Sequence, residues 1–259
     1  VSNAEEFGDW LQAVRGDTVV IVSEERPVPL DQHVLVRGRL IDLFDSSGSI
    51  ATNRVNPELV DMARHGGRVL SQQARKDVGR RHSRGGRPDE FRLNRVEIAR
   101  LLAERQLLPA ISFIFSRVGC DQAVLQFRRA DLRLTTAAER AEIREIVEAR
   151  CRTLRDEDLG VLGYWDWLAG LERGVAAHHA GLLPAFKEVV EELFQRKLLK
   201  MVFATETLAL GINMPARTVV LEKLEKFNGE ARVPITPGEY TQLTGRAGRR
   251  GIDIEGHSV

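Results

Sequence analysis

Ten residues near the end of the chain combine glycine and arginine in a pattern suited to phosphate chemistry. They read Gln242-Leu243-Thr244-Gly245-Arg246-Ala247-Gly248-Arg249-Arg250-Gly251, and no acidic residue lies among them. Glycine lets a backbone approach a ligand closely, and arginine carries a fixed charge on a planar fork of donors. Facing a cleft, such a segment would neutralise charge in a phosphoryl-transfer transition state. The alternative from these residues alone is a basic surface loop.

Three more polar segments follow predicted strands. They are Ser116-Arg117 after 110–115, His178-His179-Ala180-Gly181-Leu182 after 175–177, and Thr205-Glu206-Thr207 after 199–204. Ligands of open parallel sheets gather at the carboxyl ends of the strands. We therefore expect these segments and the decapeptide to share one sheet edge.

The chemistry of these segments is that of phosphate and sugar ligands, since hydroxyls, backbone N–H groups and arginines dominate them. The sequence shows no convincing nucleophile with a base beside it. His178 and His179 are adjacent and lack the i, i+4 spacing of a helical metal pair. We predict no metal site, with one of these histidines packed and the other reaching the surface.

Helical and strand patterns alternate along most of the chain, which predicts an α/β fold with a parallel sheet covered on both faces. Helices are predicted at 4–14, 56–74, 89–105, 117–129, 137–154, 164–171, 185–197 and from Pro237, and a loop at 83–88. Strands are predicted at 17–22, 34–36, 40–44, 110–115, 175–177, 199–204, 218–221 and within 252–259. Ser116, Thr136 and Thr236 are predicted helix caps.

Composition narrows the class of protein. The 259 residues carry a formal net charge of +1, and no apolar run approaches the length of a membrane span. Cys120 and Cys151 lack metal-type spacing, so we expect a reduced, cytoplasmic setting. The chain begins without methionine and stops inside an apolar run, which we interpret as a piece of a longer protein.

Basic residues concentrate between Arg68 and Arg100. This stretch contains ten arginines and lysines and four acidic residues, which is a local excess of six positive charges. Such a patch fits a polyanion partner. A solvated linker is the alternative, and the sequence leaves both open.

On the basis of these motifs, the chain resembles the second RecA-like domain of superfamily-2 DExH-box helicases. Within this superfamily it is similar to the superkiller/exosome-associated group and, in that group, to the HelY type. Residues 109–122 resemble helicase motif IV, 178–183 a family segment, 202–220 motif V, and 242–251 motif VI. The resemblance implies a RecA-like, P-loop NTPase-type three-layer domain, mostly parallel, with an inserted or appended β-hairpin or helical segment. It divides the chain into an entry segment after motif III (1–29), a variable segment (30–105) and the helicase C-terminal domain (106–259).

The resemblance also implies roles for individual residues. Arg246 and Arg249 match the arginines that reach the ATP phosphates, and Gln242 matches the residue near the attacking water. Gly211, Asn213 and Gly245 match positions beside the nucleotide. The residues expected to contact nucleic acid are Thr205, Ser116, Arg117, His178, His179 and Gly181. A structural turn is the alternative for the histidine segment.

Two elements of the family are missing from the sequence, namely a G-x-x-x-x-G-K-[ST] phosphate loop and a DExH strand. The resemblance places both on the first RecA-like domain, together with most contacts to ATP and Mg²⁺. We expect a 3′-to-5′ RNA helicase whose isolated piece is inactive, with single-stranded RNA, the N-terminal RecA-like domain and RNA-decay nucleases as partners and no membrane partner. A DNA helicase of the same fold and an inactive RNA-binding scaffold are the alternatives.

Overall fold

The strands of the protein assemble into one large sheet and one small hairpin. The computed structural model describes residues 4–21, 26–45, 54–64, 94–152, 154–209 and 214–259. Its strands are β1 (Leu30–Val36), β2 (Arg39–Asp42), β3 (Ala110–Phe113), β4 (Val175–His178), β5 (Met201–Ala204), β6 (Thr218–Leu221), β7 (Glu225–Phe227), β8 (Arg232–Pro234) and β9 (Gly256–Ser258).

Helices fill the connections between these strands. In chain order they are α1 (Ala4–Arg15), α2 (residues 57–64), α3 (Arg95–Glu104), α4 (Arg117–Arg129), α5 (Ala137–Cys151), α6 (Asp156–Leu159), α7 (Tyr164–Leu171), α8 (Pro184–Gln195) and α9 (Pro237–Thr244). A 3₁₀ turn spans Glu206–Ala209. Within the described residues, no helix combines the length and apolar character needed to cross a membrane.

The large sheet has the order β2-β1-β9-β6-β3-β5-β4. All neighbouring strands run parallel except β1 and β2, which pair antiparallel. The strand pair predicted from the sequence is therefore confirmed and extends the same sheet, while β7 and β8 form a separate antiparallel hairpin. The architecture is the predicted α/β, RecA-like class with a mostly parallel sheet.

Alternating residues of the central strands supply two cores, one on each face of the sheet. On β5, Val202 and Ala204 join the core covered by α5, α7 and α8. Met201 and Phe203 point to the opposite face and join the core formed with α3 and α4. Because both faces are covered, β5 is apolar at every position, as parallel strands in layered α/β folds usually are.

The predicted helix starts are confirmed by their caps. The Ser116 hydroxyl accepts a hydrogen bond from the Gly119 N–H and starts α4. Thr136 and Thr236 form reciprocal capping boxes with Glu139 and Glu239, respectively. Each cap satisfies backbone N–H groups that have no partner inside the helix, so α4, α5 and α9 begin where the sequence predicts.

One predicted strand is wrong in its described part. Residues 17–21 form no strand, and the side chains of Val19 and Ile21 are 85% and 88% exposed. A β-branched run is stable as a strand only when a neighbouring strand and a buried face are available, and no described residue supplies either. Phe7 and Trp10 on α1 are also more than half exposed, so the apolar face of this helix is uncovered.

The remaining differences concern the residues at which helices and strands begin and end. The helix predicted at 56–74 is confirmed over residues 57–64, and the helix predicted from residue 89 begins at Arg95, with Asn94 as its cap. Residues 65–93 lie outside the described residues, and they include the predicted loop at 83–88 and most of the basic patch. His178 is the last residue of β4 rather than a residue that follows the strand.

Candidate functional site

Helix α9 carries the first residues of the arginine decapeptide. Thr236 caps the helix and Pro237 occupies its first turn, as predicted. Gly245 follows the helix, where an added Cβ would lie 2.9 Å from the Thr241 carbonyl oxygen. Glycine is required at this position because the chain passes so close to the preceding turn.

We call residues 245–251 the arginine loop. Its backbone is bonded to the residues that precede β6, since the Ala216 N–H donates to the Arg246 carbonyl at 2.9 Å and the Gly248 N–H donates to the Ala216 carbonyl at 2.8 Å. Arg26 donates to the Ala247 carbonyl at 2.9 Å. These contacts place the arginine loop at the amino ends of β6 and β9.

The predicted grouping of four polar segments on one sheet edge is therefore wrong for the arginine loop. Only Ser116-Arg117, the histidine segment and Thr205-Glu206-Thr207 lie at the carboxyl ends of β3, β4 and β5. Helix α9 begins near that edge, because Lys226 bridges Glu239 of α9 to Glu206. The chain then crosses the sheet along α9, so its arginines reach the opposite edge.

Arg249 makes the most extensive ion pair of the arginine loop. Its Nε and terminal nitrogen donate to the two carboxylate oxygens of Asp253 at 2.7 and 2.6 Å, and its backbone N–H donates to the same group at 2.9 Å. The Arg249 and Asp253 side chains are 12% and 4% exposed. Burial alone would raise the pKa of Asp253, but the Arg249 hydrogen bonds outweigh it and hold this pKa below its ordinary value.

The other polar side chains of the decapeptide differ in exposure. Arg246 is half-buried, and burial lowers the pKa of its guanidinium from the ordinary value. Arg250 and Gln242 are exposed. Gln242 lines a small cavity of about 210 Å³ with Phe115, Glu206 and Lys226. A partly desolvated arginine interacts more strongly with an anion than one in water, because the local dielectric is lower.

We call Ser116, Arg117, His178, His179, Gly181 and Thr205 the carboxyl-edge cluster. The Thr205 and Thr207 hydroxyls lie 3.0 Å apart, and the Thr205 N–H donates to the His178 carbonyl at 3.3 Å. Ser116 and Arg117 are exposed, although the Ser116 hydroxyl already caps α4. The structure thus brings the predicted nucleic-acid residues together at one edge.

Both histidines of this cluster are buried, with relative exposures of 3% and 5%. The prediction that one of them reaches the surface is wrong, because each ring nitrogen Nε2 binds a carboxylate from a covering helix. His178 contacts Glu191 of α8 at 2.9 Å, and His179 contacts Asp121 of α4 at 3.0 Å. Burial lowers the pKa of His178, and Glu191 opposes this only in part.

A structural role is visible for His179. Its Nδ1 accepts a hydrogen bond from the Gly181 N–H at 3.1 Å, which shapes the turn after β4. Gly181 is exposed, and a Cβ added there would lie 3.1 Å from the same nitrogen. Of the predicted nucleotide residues, Gly211 and Asn213 lie outside the described residues.

Contacts that link the motifs were not predicted from the sequence. Lys226, on the β7–β8 hairpin, holds Glu206 and Glu239 together, and Tyr240 of α9 donates to Gln32 of β1 at 2.7 Å. The larger cavity, about 1020 Å³, lies along β1 and the end of β6 rather than at the arginine loop. The sequence carries no local signal for these contacts, because the partners are far apart along the chain.

Comparison with known proteins supports one family. The family described as "Helicase conserved C-terminal domain" matches residues 147–251. The chain is 60% identical to "Probable helicase HelY" of Mycobacterium leprae, over 100% of this chain and 28% of that protein. It is 35% identical to human "Superkiller complex protein 2" and 34% identical to human "Exosome RNA helicase MTR4", over 99% of this chain and 21% and 24% of those proteins.

The chain spans only 28–29% of the length of the mycobacterial relatives. The similarity nevertheless covers the whole chain, including the described parts of motifs IV, V and VI and the β1–β2 pair. The fold and the order of its elements agree with that similarity. The chain belongs to the helicase C-terminal domain family, in the superkiller branch of the superfamily-2 DExH-box helicases.

Proposed function

We propose that this chain is the second RecA-like domain of an ATP-dependent, 3′-to-5′ helicase that acts on RNA in the cytoplasm. Arg246 and Arg249 contact the phosphates of an ATP held mainly by the N-terminal RecA-like domain, and Gln242 approaches the attacking water. Gly211, Asn213 and Gly245 lie beside the nucleotide. The support for this assignment is the match of these residues to the family motifs, together with the geometry of the arginine loop.

The observation that carries the proposal is the way the arginine loop is held. Two backbone hydrogen bonds with Ala216, one donated by its N–H and one accepted by its carbonyl, hold the loop on both sides of Ala247. A donor held by backbone contacts needs little reorganisation when charge develops on a transferring phosphoryl group. Arg246 is already partly desolvated there, which strengthens its interaction with a phosphate.

The arginine loop suits the phosphates of ATP but not a Mg²⁺ ion. Guanidinium groups match the phosphate oxygens of ATP in charge and geometry. Mg²⁺ prefers oxygen ligands, but the arginine loop contains no carboxylate, and the nearby Asp253 is occupied by Arg249. The proposal therefore assigns Mg²⁺ to the N-terminal RecA-like domain.

The carboxyl-edge cluster is proposed to hold the backbone of single-stranded RNA. Thr205, Ser116 and Arg117 offer hydroxyls and a cation at one edge, and phosphates are recognised by such groups without reading the base. His178, His179 and Gly181 border this track in the proposal. The name of one human relative, "Exosome RNA helicase MTR4", refers to RNA and the exosome, so RNA-decay nucleases are the proposed partners.

The exposed apolar residues near the start of the chain support a docked domain. Phe7, Trp10 and Val14 on α1, with Val19 and Ile21 after it, are 52–88% exposed. Contiguous apolar surface of this kind marks an interaction site. We assign this surface to the N-terminal RecA-like domain.

The test compares two arginines of the same loop in the full-length protein. Arg246→Ala is expected to lower RNA-stimulated ATP hydrolysis by about 10³–10⁵-fold, the range for arginine fingers, while RNA binding without nucleotide stays near wild type. Arg250→Ala, at an exposed position of the same loop, is the matched control and should retain most of the activity. Equal turnover in Arg246→Ala and wild type would refute the finger role.

The same preparation separates RNA from DNA as the activating polymer. Stimulation by single-stranded RNA should exceed that by DNA of the same sequence, because the 2′-OH is what distinguishes the two at a binding site. The isolated 259-residue chain should hydrolyse no ATP. Turnover by that chain alone would contradict the proposed division of the site between two domains.

A further inference from the structure

Strands β1 and β9 bring together two histidines and an aspartate that belong to neither of the regions described above. The parallel register places Asp31 beside His257, and His33 lies two residues further along β1. Because side chains alternate between the faces of a strand, Asp31 and His33 point to the same face. Among the described residues, these three form the group of histidine and acidic side chains whose spacing suits a metal ion.

The distances within this group are those of a compact ligand set. His33 Nε2 and His257 Nδ1 are 3.2 Å apart, and the donor atoms of all three residues lie within 4.8 Å of one another. Two imidazole nitrogens that bind one tetrahedral Zn²⁺ at 2.0–2.1 Å lie about 3.3 Å apart. The exposed Asp31 side chain can rotate to bring its carboxylate closer.

The outward nitrogens of the two rings differ in their partners. His33 Nδ1 lies 3.0 Å from the Asp42 carboxylate, whereas His257 Nε2 has no hydrogen-bond partner and lies 3.7 Å from Glu255. A carboxylate accepts hydrogen bonds, so Asp42 favours the N–H form at His33 Nδ1 and leaves His33 Nε2 as a lone pair. Without a metal ion, the Nδ1–H of His257 can donate to that lone pair; with one, both inward nitrogens and the Asp31 carboxylate can direct their lone pairs at the ion.

A cation placed between the two rings would be bound by both inward nitrogens. Metal-binding histidines commonly donate their second ring N–H to a carboxylate, which sets the tautomer and the ring orientation. Asp42 stands in this position for His33. His257 Nε2 is buried and has no hydrogen-bond partner, so the ring can take the tautomer that leaves Nδ1 as a lone pair for a metal ion.

We propose that Asp31, His33 and His257 bind a divalent transition-metal ion of the Zn²⁺ type, which links β1 to β9. Two imidazoles and one carboxylate suit Zn²⁺, whereas Mg²⁺ and Ca²⁺ prefer sets of oxygen ligands. Three protein ligands leave a fourth position for water. His33 also lines the large groove beside β1, which gives the ion a path from solvent.

The position of the site gives the metal a structural role. It would join the β1–β2 pair to the strand that begins at Gly256, and Gly256 packs directly against Gly248 of the arginine loop. An ion bound only by the folded protein stabilises it by mass action. Zn²⁺ is therefore expected to raise the melting temperature of the chain.

The experiment uses the 259-residue chain, freed of metal with a chelator, and titrates it with Co²⁺ and Zn²⁺. Wild type should bind one ion per chain, with the visible spectrum of tetrahedral Co²⁺ and displacement by Zn²⁺. Asp31→Asn and His33→Gln should each weaken binding by at least about tenfold, and Asp42→Asn by about 10–100-fold, the range for residues that orient a ligand. Asp31 and Asp42 are exposed, so their variants are expected to fold.

His82→Gln is the control, because it removes one histidine that is not part of the group. It should bind Co²⁺ and Zn²⁺ as wild type does and show the same rise in melting temperature. The proposal is overturned if wild type binds no Co²⁺ stoichiometrically, or if Asp31→Asn and His33→Gln bind it unchanged. The histidine pair would then share a proton instead of a metal ion.

Discussion

The arginine loop and the carboxyl-edge cluster were predicted as one surface, yet they lie at opposite edges of the sheet and are built in different ways. In the carboxyl-edge cluster, most polar side chains have internal partners, such as Glu191 for His178 and Asp121 for His179. In the arginine loop, backbone groups make the internal contacts and hold the chain in place. A polar motif therefore indicates binding more strongly when its internal hydrogen bonds are made by the backbone rather than by its side chains.

Within the arginine loop, the Arg249 side chain forms a buried pair with Asp253. Both partners are less than an eighth exposed. This pair means that an effect of an Arg249 variant on activity also includes an effect on folding. Arg246 is therefore the cleaner test of the finger role, although both arginines match the family motif.

The largest expected effect on stability comes from breaking the Arg249–Asp253 pair. Arg249→Gln should lower the free energy of unfolding by about 3–5 kcal/mol, because it leaves a buried carboxylate without its cation. Urea unfolding of the 259-residue chain measures this. The double variant Arg249→Gln/Asp253→Asn, which removes both charges, should recover part of the loss. Strictly additive losses would show that the two side chains do not stabilise each other.

Next in size is the close packing of the arginine loop against the amino ends of the strands. Gly248 has φ +87°, and an added Cβ would lie 2.6 Å from Val28 Cγ1. Gly248→Ala should lower the free energy of unfolding by about 2–3 kcal/mol, through backbone strain and overpacking together.

Gly251→Ala is the matched control for this change. Gly251 has φ +75° but open space around its Cα, so only backbone strain of about 1 kcal/mol is expected. Equal losses in the two variants would mean that the loop is not held by contact with Val28. The arginine loop would then not differ from the carboxyl-edge cluster in the packing of its backbone.

The smallest effect concerns the carboxyl-edge cluster and depends on pH. Burial lowers the pKa of His178 from 6.5 in the folded protein, so the unfolded chain binds the proton more tightly. The stabilising contribution of the neutral ring is present above about pH 6.5 and is lost as the pH falls below that value. His178→Gln should reduce the slope of stability against pH below 6.5, by at most about 1.4 kcal/mol per unit.

Urea unfolding at a series of pH values measures this slope in wild type and His178→Gln. The difference between the two proteins is the informative quantity, because His257 also has a lowered pKa and contributes to both. Identical slopes would indicate that His178 is as accessible to protons in the folded chain as in the unfolded one. The carboxyl-edge cluster would then resemble an open binding surface more than a packed one.

Local signals in the sequence account for much of the fold. The capping residues Ser116, Thr136 and Thr236 predict where three helices begin, since a cap depends on residues within one turn. Apolar runs predict the central strands, because both faces of a parallel sheet are covered. The strand predicted at 17–22 is wrong over its described residues, because a strand also needs a neighbour that no local pattern can supply.

The candidate site was predictable in its parts but not in its arrangement. The order of the motifs alone indicates the family and marks Arg246, Arg249 and Gln242 as candidate site residues. It does not indicate that α9 crosses the sheet, so the shared edge was predicted wrongly. The buried state of His179 was also missed, because Asp121, its partner, lies 58 residues away in the chain.

The sequence by itself determined the family, the class of fold and the helix starts, all of which depend on residue type and short-range spacing. Only the tertiary structure decided which edge each motif reaches, that Arg249 is paired with Asp253, and that His33 meets His257 across 224 residues of chain. Those features depend on strand order and register. Register is set by packing across the whole sheet, and no local stretch of sequence contains it.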